Sequence, residues 1–156
     1  MEIAVDNLAD TGVIQLLEQH LEDMYATSPP ESVHALNIDE LKEPSVTFWS
    51  AKKEGKVVGC IGLKEISAGH GEIKSMRTAT TERNQGVASR LLSHVLQVAK
   101  DRQYDRVSLE TGSMEFFAPA RTLYKKYGFQ YCEPFGAYQA DDNSRFMTLS
   151  MQNTVN

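Results

Sequence analysis

The residues from Arg83 to Ala88 combine a positive side chain with backbone that could bind an anion. They lead into a segment whose apolar residues recur every three or four positions, which predicts a helix over 87–103. The first turn of a helix has amide N–H groups without partners and carries partial positive charge, so phosphates bind there. Gly86 permits a positive φ or the close approach of a ligand to the backbone. We therefore interpret the 83–88 loop as a candidate phosphate site.

Other nucleotide-binding motifs do not explain this loop. The sequence has no G-x-x-x-x-G-K-[ST] segment, which excludes a P-loop, and Gly69-His70-Gly71 lacks the third glycine of the dinucleotide fingerprint. A phosphate-bearing ligand would therefore be held in another way. The alternative is an ordinary strand-to-helix turn in which Gly86 serves only the local geometry.

Several strands and helices must position this loop. Helical periodicity predicts helices over 11–26, 87–103 and 116–127, and alternation predicts strands over 3–5, 46–51, 56–63, 71–80, 105–111, 129–131 and 145–151. Strands that alternate with helices imply an α/β or α+β fold with a mixed sheet. In the strand over 71–80, a period of two predicts two faces, one with Glu72, Lys74, Met76 and Thr78 and the other with Ile73, Ser75 and Arg77.

Composition limits the classes of function. The 156 residues are 41% hydrophobic and 24% charged, which predicts one globular domain over 1–156. The net charge is −5 and no Lys/Arg run occurs, so we expect no nucleic-acid partner. Cys60 and Cys132 are far apart, and the four histidines share no metal-ligand spacing, so we expect neither a disulfide framework nor a metal site.

The N-terminal residues and the hydropathy pattern bear on location. Residues 1–6 lack a cationic region followed by an apolar run, and no stretch approaches the ~20 apolar residues of a membrane span. We therefore expect a cytoplasmic protein without a membrane partner.

The 83–88 loop resembles the acetyl-CoA signature of the GCN5-related N-acetyltransferase (GNAT) superfamily, which is Arg or Gln, two residues, Gly, one residue, then Gly or Ala. Arg83, Gly86 and Ala88 satisfy it, and a second family element, Leu123-Tyr124-Lys125-Lys126-Tyr127-Gly128-Phe129, follows at a typical spacing. The chain resembles the small bacterial-type single-domain members. The resemblance implies a mixed, mostly antiparallel central sheet of about six or seven strands, flanked by about four helices.

The resemblance also implies acetyl-CoA as a co-substrate, without a metal. In the family the loop amides bind the pyrophosphate, and the strand before the loop offers free main-chain groups to the pantetheine arm. Many members have an Asn seven residues before the family tyrosine, whereas this chain has Phe117, which cannot donate a hydrogen bond. The alternative to a pantetheine-binding strand over 71–80 is an ordinary core strand. The cofactor-binding residues implied are Met76, Thr78, Arg83, Asn84, Gln85, Gly86, Val87, Ala88, Ser89, Phe117 and Tyr124.

Two catalytic residues are implied by the same resemblance. Tyr124 matches the tyrosine whose hydroxyl reaches the coenzyme sulfur, and a phenol with a pKa near ~10 is a plausible proton donor to a thiolate. The alternative is a core tyrosine with its hydroxyl satisfied locally. Glu72 stands eleven positions before Arg83, where several members carry a glutamate that deprotonates the amine through water. The alternative is an exposed strand charge, with Glu110 as the second choice of base or as a ligand for a cationic acceptor.

These features favour an N-acetyltransferase that moves an acetyl group from acetyl-CoA directly to a primary amine of a small molecule or peptide. A non-catalytic acyl-CoA-binding regulatory module is the alternative, and a partner-binding scaffold is disfavoured by the intact loop and Tyr124. Pairing of two chains through the last strands, as a homodimer, stays open. A cationic acceptor such as a polyamine or an amino-terminal peptide would suit the acidic residues Glu72, Glu110, Glu133, Asp141 and Asp142.

Overall fold

The computed structural model describes residues 1–30 and 38–151, in which seven strands form one sheet in the order β1-β2-β3-β4-β5-β7-β6. Neighbouring strands are antiparallel except for β4 and β5, which are parallel. This confirms the expected mixed, mostly antiparallel sheet. The strands are β1 Glu2–Val5, β2 Val46–Lys53, β3 Lys56–Ser67, β4 His70–Thr78, β5 Arg106–Gly112, β6 Gln130–Tyr131 and β7 Ser144–Ser150.

Four helices accompany the sheet in this part of the chain, as expected: α1 Thr11–Thr27, α2 Ile38–Leu41, α3 Val87–Asp101 and α4 Ala118–Lys126. The helix predicted over 116–127 begins instead as a 3₁₀ turn, Glu115–Phe117, and becomes α-helical where a proline occupies its first turn. A second 3₁₀ turn, Thr80–Glu82, precedes the 83–88 loop. Of the helices described, none is both long enough and apolar enough to cross a membrane.

Two apolar clusters lie on opposite faces of the sheet. The larger cluster joins the buried face of α3 to the sheet and to α4, through residues such as Leu91, Leu92 and Tyr124. The smaller cluster packs α1 and α2 against β2 and β3. Gly59 on β3 permits the close approach of α3, because a Cβ there would lie 2.8 Å from Cγ1 of Val87. This contact fixes where α3 begins, and therefore where the 83–88 loop lies.

A β-bulge interrupts β4 and overturns the predicted alternation of its faces. Ser75 has a φ of 51°, and the β3–β4 register shifts between Cys60 and Gly62. Beyond the bulge, Met76 packs against the larger cluster, on the face of Ile73. Arg77 pairs with Asp23 of α1 and so lies on the α1 face with Glu72. The prediction that Met76 shares a face with Glu72 is therefore wrong, since one extra residue reverses every later side chain.

Candidate active site

The parallel strands β4 and β5 diverge in the middle of the sheet. Their pairing covers only His70–Glu72 on β4 and Arg106–Ser108 on β5, although both strands continue beyond these residues. Both strands therefore have main chain beyond this pairing that lies along a gap in the sheet.

Alternate main-chain groups in the second half of β4 are directed toward this gap. The Ala79 N–H donates to the Val58 carbonyl at 2.8 Å, so the main chain at Ala79 points to β3. Main-chain groups alternate in direction along a strand, so those of Thr78 and Met76 point away from β3, to the side of β5. The bulge therefore turns the side chain of Met76 to the opposite face but leaves its backbone, like that of Thr78, at the gap.

The 83–88 loop stands at the end of β4 and starts α3. Gly86 precedes the helix with φ 81° and ψ 8°, a left-handed conformation that favours glycine. A Cβ at Gly86 would meet no heavy atom within 4 Å, so glycine is required by its φ and not by crowding. Arg90 makes the first intrahelical hydrogen bond, to the Gly86 carbonyl at 3.0 Å. The amides of residues 87–89 thus have no acceptor within the helix and can bind an anion.

Neighbouring side chains hold the loop in place. Val87 is buried, whereas Arg83 and Gln85 are exposed. The Gln85 Oε1 accepts a hydrogen bond from Lys53 Nζ at 3.0 Å, and the same ammonium contacts Glu82 at 3.1 Å. Lys53 is therefore a second cation beside the loop, which the sequence patterns did not indicate.

Tyr127 links the two family motifs, a contact that sequence reasoning missed. Its hydroxyl hydrogen-bonds the Ser89 hydroxyl, donates to the Ser89 carbonyl at 3.1 Å and lies 2.9 Å from the Ser93 Oγ. The Ser89 hydroxyl is thus already engaged, which leaves its amide as the group that could bind phosphate. These hydrogen bonds, first to Ser89 and then to Ser93, lower the pKa of Tyr127.

Tyr124 lies in the larger apolar cluster, with its ring 5.8 Å from that of Phe129. Within residues 1–30 and 38–151, no hydrogen-bond partner of its hydroxyl is found. This differs from the alternative interpretation, in which a core tyrosine has its hydroxyl hydrogen-bonded locally. Burial, and then the charge of Glu110, raises the pKa of Tyr124 well above its usual range. The hydroxyl is therefore a protonated donor at neutral pH.

Phe117 packs its ring on the end of β5. A Cβ on Gly112 would collide with this ring, so the contact requires glycine there. The ring also meets Phe116 edge to face, with centroids 5.0 Å apart. Phe117 thus fills the junction between β5 and α4, and its side chain has no donor to offer a ligand.

Glu72 is buried, with 4% of its surface exposed, so the alternative of an exposed strand charge is wrong. Its Oε2 accepts a hydrogen bond from the Tyr138 hydroxyl at 2.6 Å and forms an ion pair with Lys74 Nζ at 3.0 Å. Lys74 Nζ also donates to the Tyr138 hydroxyl at 2.8 Å. The three side chains form a closed triangle of charge-assisted contacts.

A cavity of about 50 Å³ places Glu72 and Glu110 together. Glu110 also accepts a hydrogen bond from Ser144 Oγ at 2.8 Å. Of the other acidic residues considered, Glu133 and Asp142 are exposed, and Asp141 lines a separate depression of about 350 Å³ next to β6. The small cavity is lined by His20, Met24, Glu72, Ile73, Lys74, Ser75, Glu110 and Tyr138.

Tyr138 is the residue of this cavity that sequence reasoning missed, because the stretch between β6 and β7 reads only as an irregular loop. Its ring packs against Phe135 and Phe146, at centroid distances of 5.2 and 5.4 Å. Two aromatic residues, Phe135 and Tyr138, in a stretch of mostly small and polar residues were the available signal. Burial, and then the charge of Glu72, raises the pKa of Tyr138 well above its usual range.

The remaining titratable residues within 1–30 and 38–151 do not form a candidate metal site. Among the described residues, no group of three or more His, Cys, Asp or Glu side chains could hold a metal ion. Cys60 is a free, fully buried thiol whose pKa is raised by burial to about 12. Burial, and then the charge of Arg77, lowers the pKa of His20 to about 4.

Comparison with known proteins finds a matching family, related sequences and solved structures of the same fold. Residues 13–129 match the Acetyltransferase (GNAT) family. The chain is 51% identical to "Uncharacterized N-acetyltransferase YsnE" of Bacillus subtilis, over 97% of this chain and 100% of that protein. It is 46% identical to "Uncharacterized N-acetyltransferase YedL" of Escherichia coli, over 96% of this chain and 94% of that protein. A crystal structure of an aminoglycoside 6'-N-acetyltransferase complexed with coenzyme A has the same fold, with a TM-score of 0.71, 14% identity and full coverage of both chains.

Proposed function

Because the chain belongs to the Acetyltransferase (GNAT) family, we propose that it transfers an acetyl group from acetyl-CoA directly to a primary amine of a small molecule or peptide. The observation that carries this proposal is the gap between β4 and β5. The 83–88 loop lies at the end of β4, and Glu72 lies where the pairing with β5 stops. The relatives named N-acetyltransferases support an enzyme over a non-catalytic acyl-CoA-binding module.

The residues present fit acetyl-CoA. The amides at the start of α3, together with Arg83 and Lys53, would hold the pyrophosphate. The main-chain groups of Met76 and Thr78 would pair with the amides of the pantetheine arm. Phe117 offers only its ring, so the contact made by Asn in many relatives would be absent or replaced. Acetyl-CoA supplies a thioester whose carbonyl carbon takes the amine and whose sulfur departs.

Two side chains would carry out the proton transfers of the reaction. Glu72, directly or through one water, takes a proton from the acceptor ammonium and so leaves a neutral amine with a free electron pair. The C–N bond forms as the C–S bond breaks, and Tyr124 gives its proton to the departing sulfur. A second proton, lost from the new amide nitrogen, restores the Tyr124 hydroxyl. One proton in total is released, through Glu72, to solvent.

Glu110 would bind the acceptor as a cation. It lies in the same cavity as Glu72, so an ammonium group bound by Glu110 would stand next to the proposed base. A carboxylate in a cavity of about 50 Å³ favours a compact ammonium group over a bulky ring at this point. The rest of the acceptor would lie outside the cavity.

The proposal is tested by coenzyme A release against a panel of amines, with the acetylated product identified by mass spectrometry. The panel includes polyamines, amino-terminal peptides, aminoglycosides and amino acids, each also tested without enzyme. Thiol release that depends on both enzyme and amine is the expected result. If acetyl-CoA raises the melting temperature but no amine releases thiol, the acyl-CoA-binding module replaces the enzyme.

A further inference from the structure

We propose that Tyr138 is a positioning residue: with Lys74 it holds the Glu72 carboxylate ionised and fixes its Oε2, so that Oε1 is left for the acceptor amine. This inference rests on the proposed function, because it assumes that Glu72 acts on the amine. Tyr138 itself would not touch the reacting atoms.

The contacts of the carboxylate are divided unequally between its two oxygens. The Tyr138 hydroxyl and the Lys74 ammonium both bind Oε2, at 2.6 and 3.0 Å. For Oε1 of Glu72, no partner is found in the part of the chain that the structure describes. One oxygen is thus held by a hydrogen bond and an ion pair, and the other can accept a proton.

Tyr138 is itself held firmly. Its ring packs against the rings of Phe135 and Phe146, and the Lys74 ammonium lies 5.3 Å from its centroid. Phe135 in turn contacts the ring of His70, at a centroid distance of 5.7 Å. The hydroxyl therefore cannot leave Glu72 without disrupting an aromatic cluster that joins the segment between β6 and β7 to β4 and β7.

The energetic reason for the hydrogen bond and the ion pair is the burial of the carboxylate. An isolated carboxylate transferred from water to an apolar site takes up a proton rather than remain charged. A protonated Glu72 could not accept a proton from the amine. Lys74 provides an opposite charge, and Tyr138 provides a neutral donor that remains protonated because its pKa is raised by burial and then by Glu72. Together these contacts offset the desolvation of Glu72.

Other charges also act on Glu72, so its ionisation must be assigned by substitution. His70, at the start of β4, has its pKa lowered by burial and then by Arg106, whereas the charge of Glu72 opposes this change. Among the described residues, the titratable groups that share the cavity with Glu72 are His20 from α1, Lys74 from β4, Glu110 from β5 and Tyr138 from the segment between β6 and β7.

The experiment follows the carboxyl group directly in the free protein. Glutamate labelled with ¹³C at its side-chain carboxyl is incorporated, and the resonance missing from Glu72→Gln is assigned to Glu72. In Tyr138→Phe, which keeps the ring, we expect the midpoint of its pH titration to move to higher pH, and the acidic limb of the kcat profile to move with it. Lys74→Met should move the midpoint further, because it removes a charge. Tyr131→Phe is the matched control, since Tyr131 is exposed on β6, and it should match wild type.

A Tyr138→Phe protein with the wild-type midpoint would overturn the inference, and so would a loss of kcat without any movement of the midpoint. Melting curves exclude unfolding as the cause, and Tyr138→Phe remains decisive if Lys74→Met fails to fold. The positioning role of Tyr138 and the proposed acetyl transfer can be refuted independently of each other. A moved midpoint in a protein that acetylates no amine would remove the proposed function and leave the contact of Tyr138 with Glu72 in place.

Discussion

At the scale of single residues, Tyr124 has its ring in the core while its hydroxyl lacks a partner among the described residues. In the part of the chain that the structure describes, the fully buried side-chain polar atoms without a partner are Ser75 Oγ and Arg77 Nε, so the Tyr124 hydroxyl is not sealed from a ligand. Proton donation to a departing thiolate is a use for such a hydroxyl, and the raised pKa of Tyr124 keeps its proton bound at neutral pH. The chemistry of Tyr124 can therefore be separated from its packing.

Tyr124→Phe should lower kcat by ~10²–10⁴-fold, the usual contribution of general acid catalysis, because it removes only the hydroxyl. Acetyl-CoA binding, measured by isothermal titration calorimetry, should stay within a few-fold of wild type, and the protein should still fold. A loss near tenfold or less would mean that the hydroxyl only positions the sulfur.

Glu72→Gln and Glu110→Gln form a matched pair, since both remove one carboxylate charge from the same cavity. If Glu72 is the base, Glu72→Gln should lower kcat with little change in the affinity for acetyl-CoA. Glu110→Gln should mainly raise the KM for the amine, because it removes the proposed cation ligand. Steady-state kinetics on both variants tests this assignment, and the reverse pattern would exchange the two roles.

At the scale of the elements, the start of α3 combines a left-handed glycine with free helical amides. The side chains introduced by Gly86→Asp and Gly86→Asn have nearly the same shape, and both residue types tolerate a positive φ. Only Asp places a negative charge where a phosphate would bind. Acetyl-CoA should therefore raise the melting temperature of Gly86→Asn much more than that of Gly86→Asp. Equal stabilisation of the two variants would refute the phosphate assignment.

Tyr127 connects the end of α4 to the first turns of α3. Tyr127→Phe loses the hydrogen bonds to Ser89 and Ser93, so it should destabilise the fold by about 1 kcal/mol. It should also weaken acetyl-CoA binding a few-fold, because the Ser89 backbone is no longer held. Ser93→Ala is the control, since it removes only one of these bonds. Chemical denaturation and calorimetry check both effects, and wild-type binding by Tyr127→Phe would show that the link does not position the loop.

At the scale of the whole molecule, His20 couples the packing of α1 to pH. Its folded-state pKa of about 4 lies below the ordinary value of 6.5, so the unfolded chain binds the proton more readily. The contribution of neutral His20 to the free energy of unfolding should therefore be fully present above pH 6.5 and should decline as the pH falls from 6.5 to 4. The decline due to His20 should be at most about 3 kcal/mol, and less in practice because the side chain is only partly buried.

His20→Gln should flatten this decline, because glutamine does not titrate. Denaturation curves of wild type and variant at several pH values between 4 and 7.5 measure it. At pH 7.5, where the histidine is neutral, the difference between wild type and variant gives the change in the free energy of unfolding that the substitution itself causes. An unchanged slope between pH 6.5 and 4 would contradict the prediction.

Several features could be predicted from the sequence because neighbouring residues determine them. The buried face of α3 depends on side chains three or four positions apart, and the turn at Gly86 depends on one residue that tolerates a positive φ. The family motifs at Arg83–Ala88 and Leu123–Phe129 are equally local, and the matches to GNAT proteins confirm the family and the fold that they implied.

Other features were decided only by the tertiary structure. The bulge at Ser75 follows from the register of β4 on β3, and an alternating pattern cannot reveal an extra residue. Tyr138 meets Glu72 across 66 positions of sequence, through a segment without periodicity. Burial of Glu72 depends on the same segment packing over the sheet. The sequence alone therefore determined which residues could act, whereas long-range packing decided which groups meet them and in which environment.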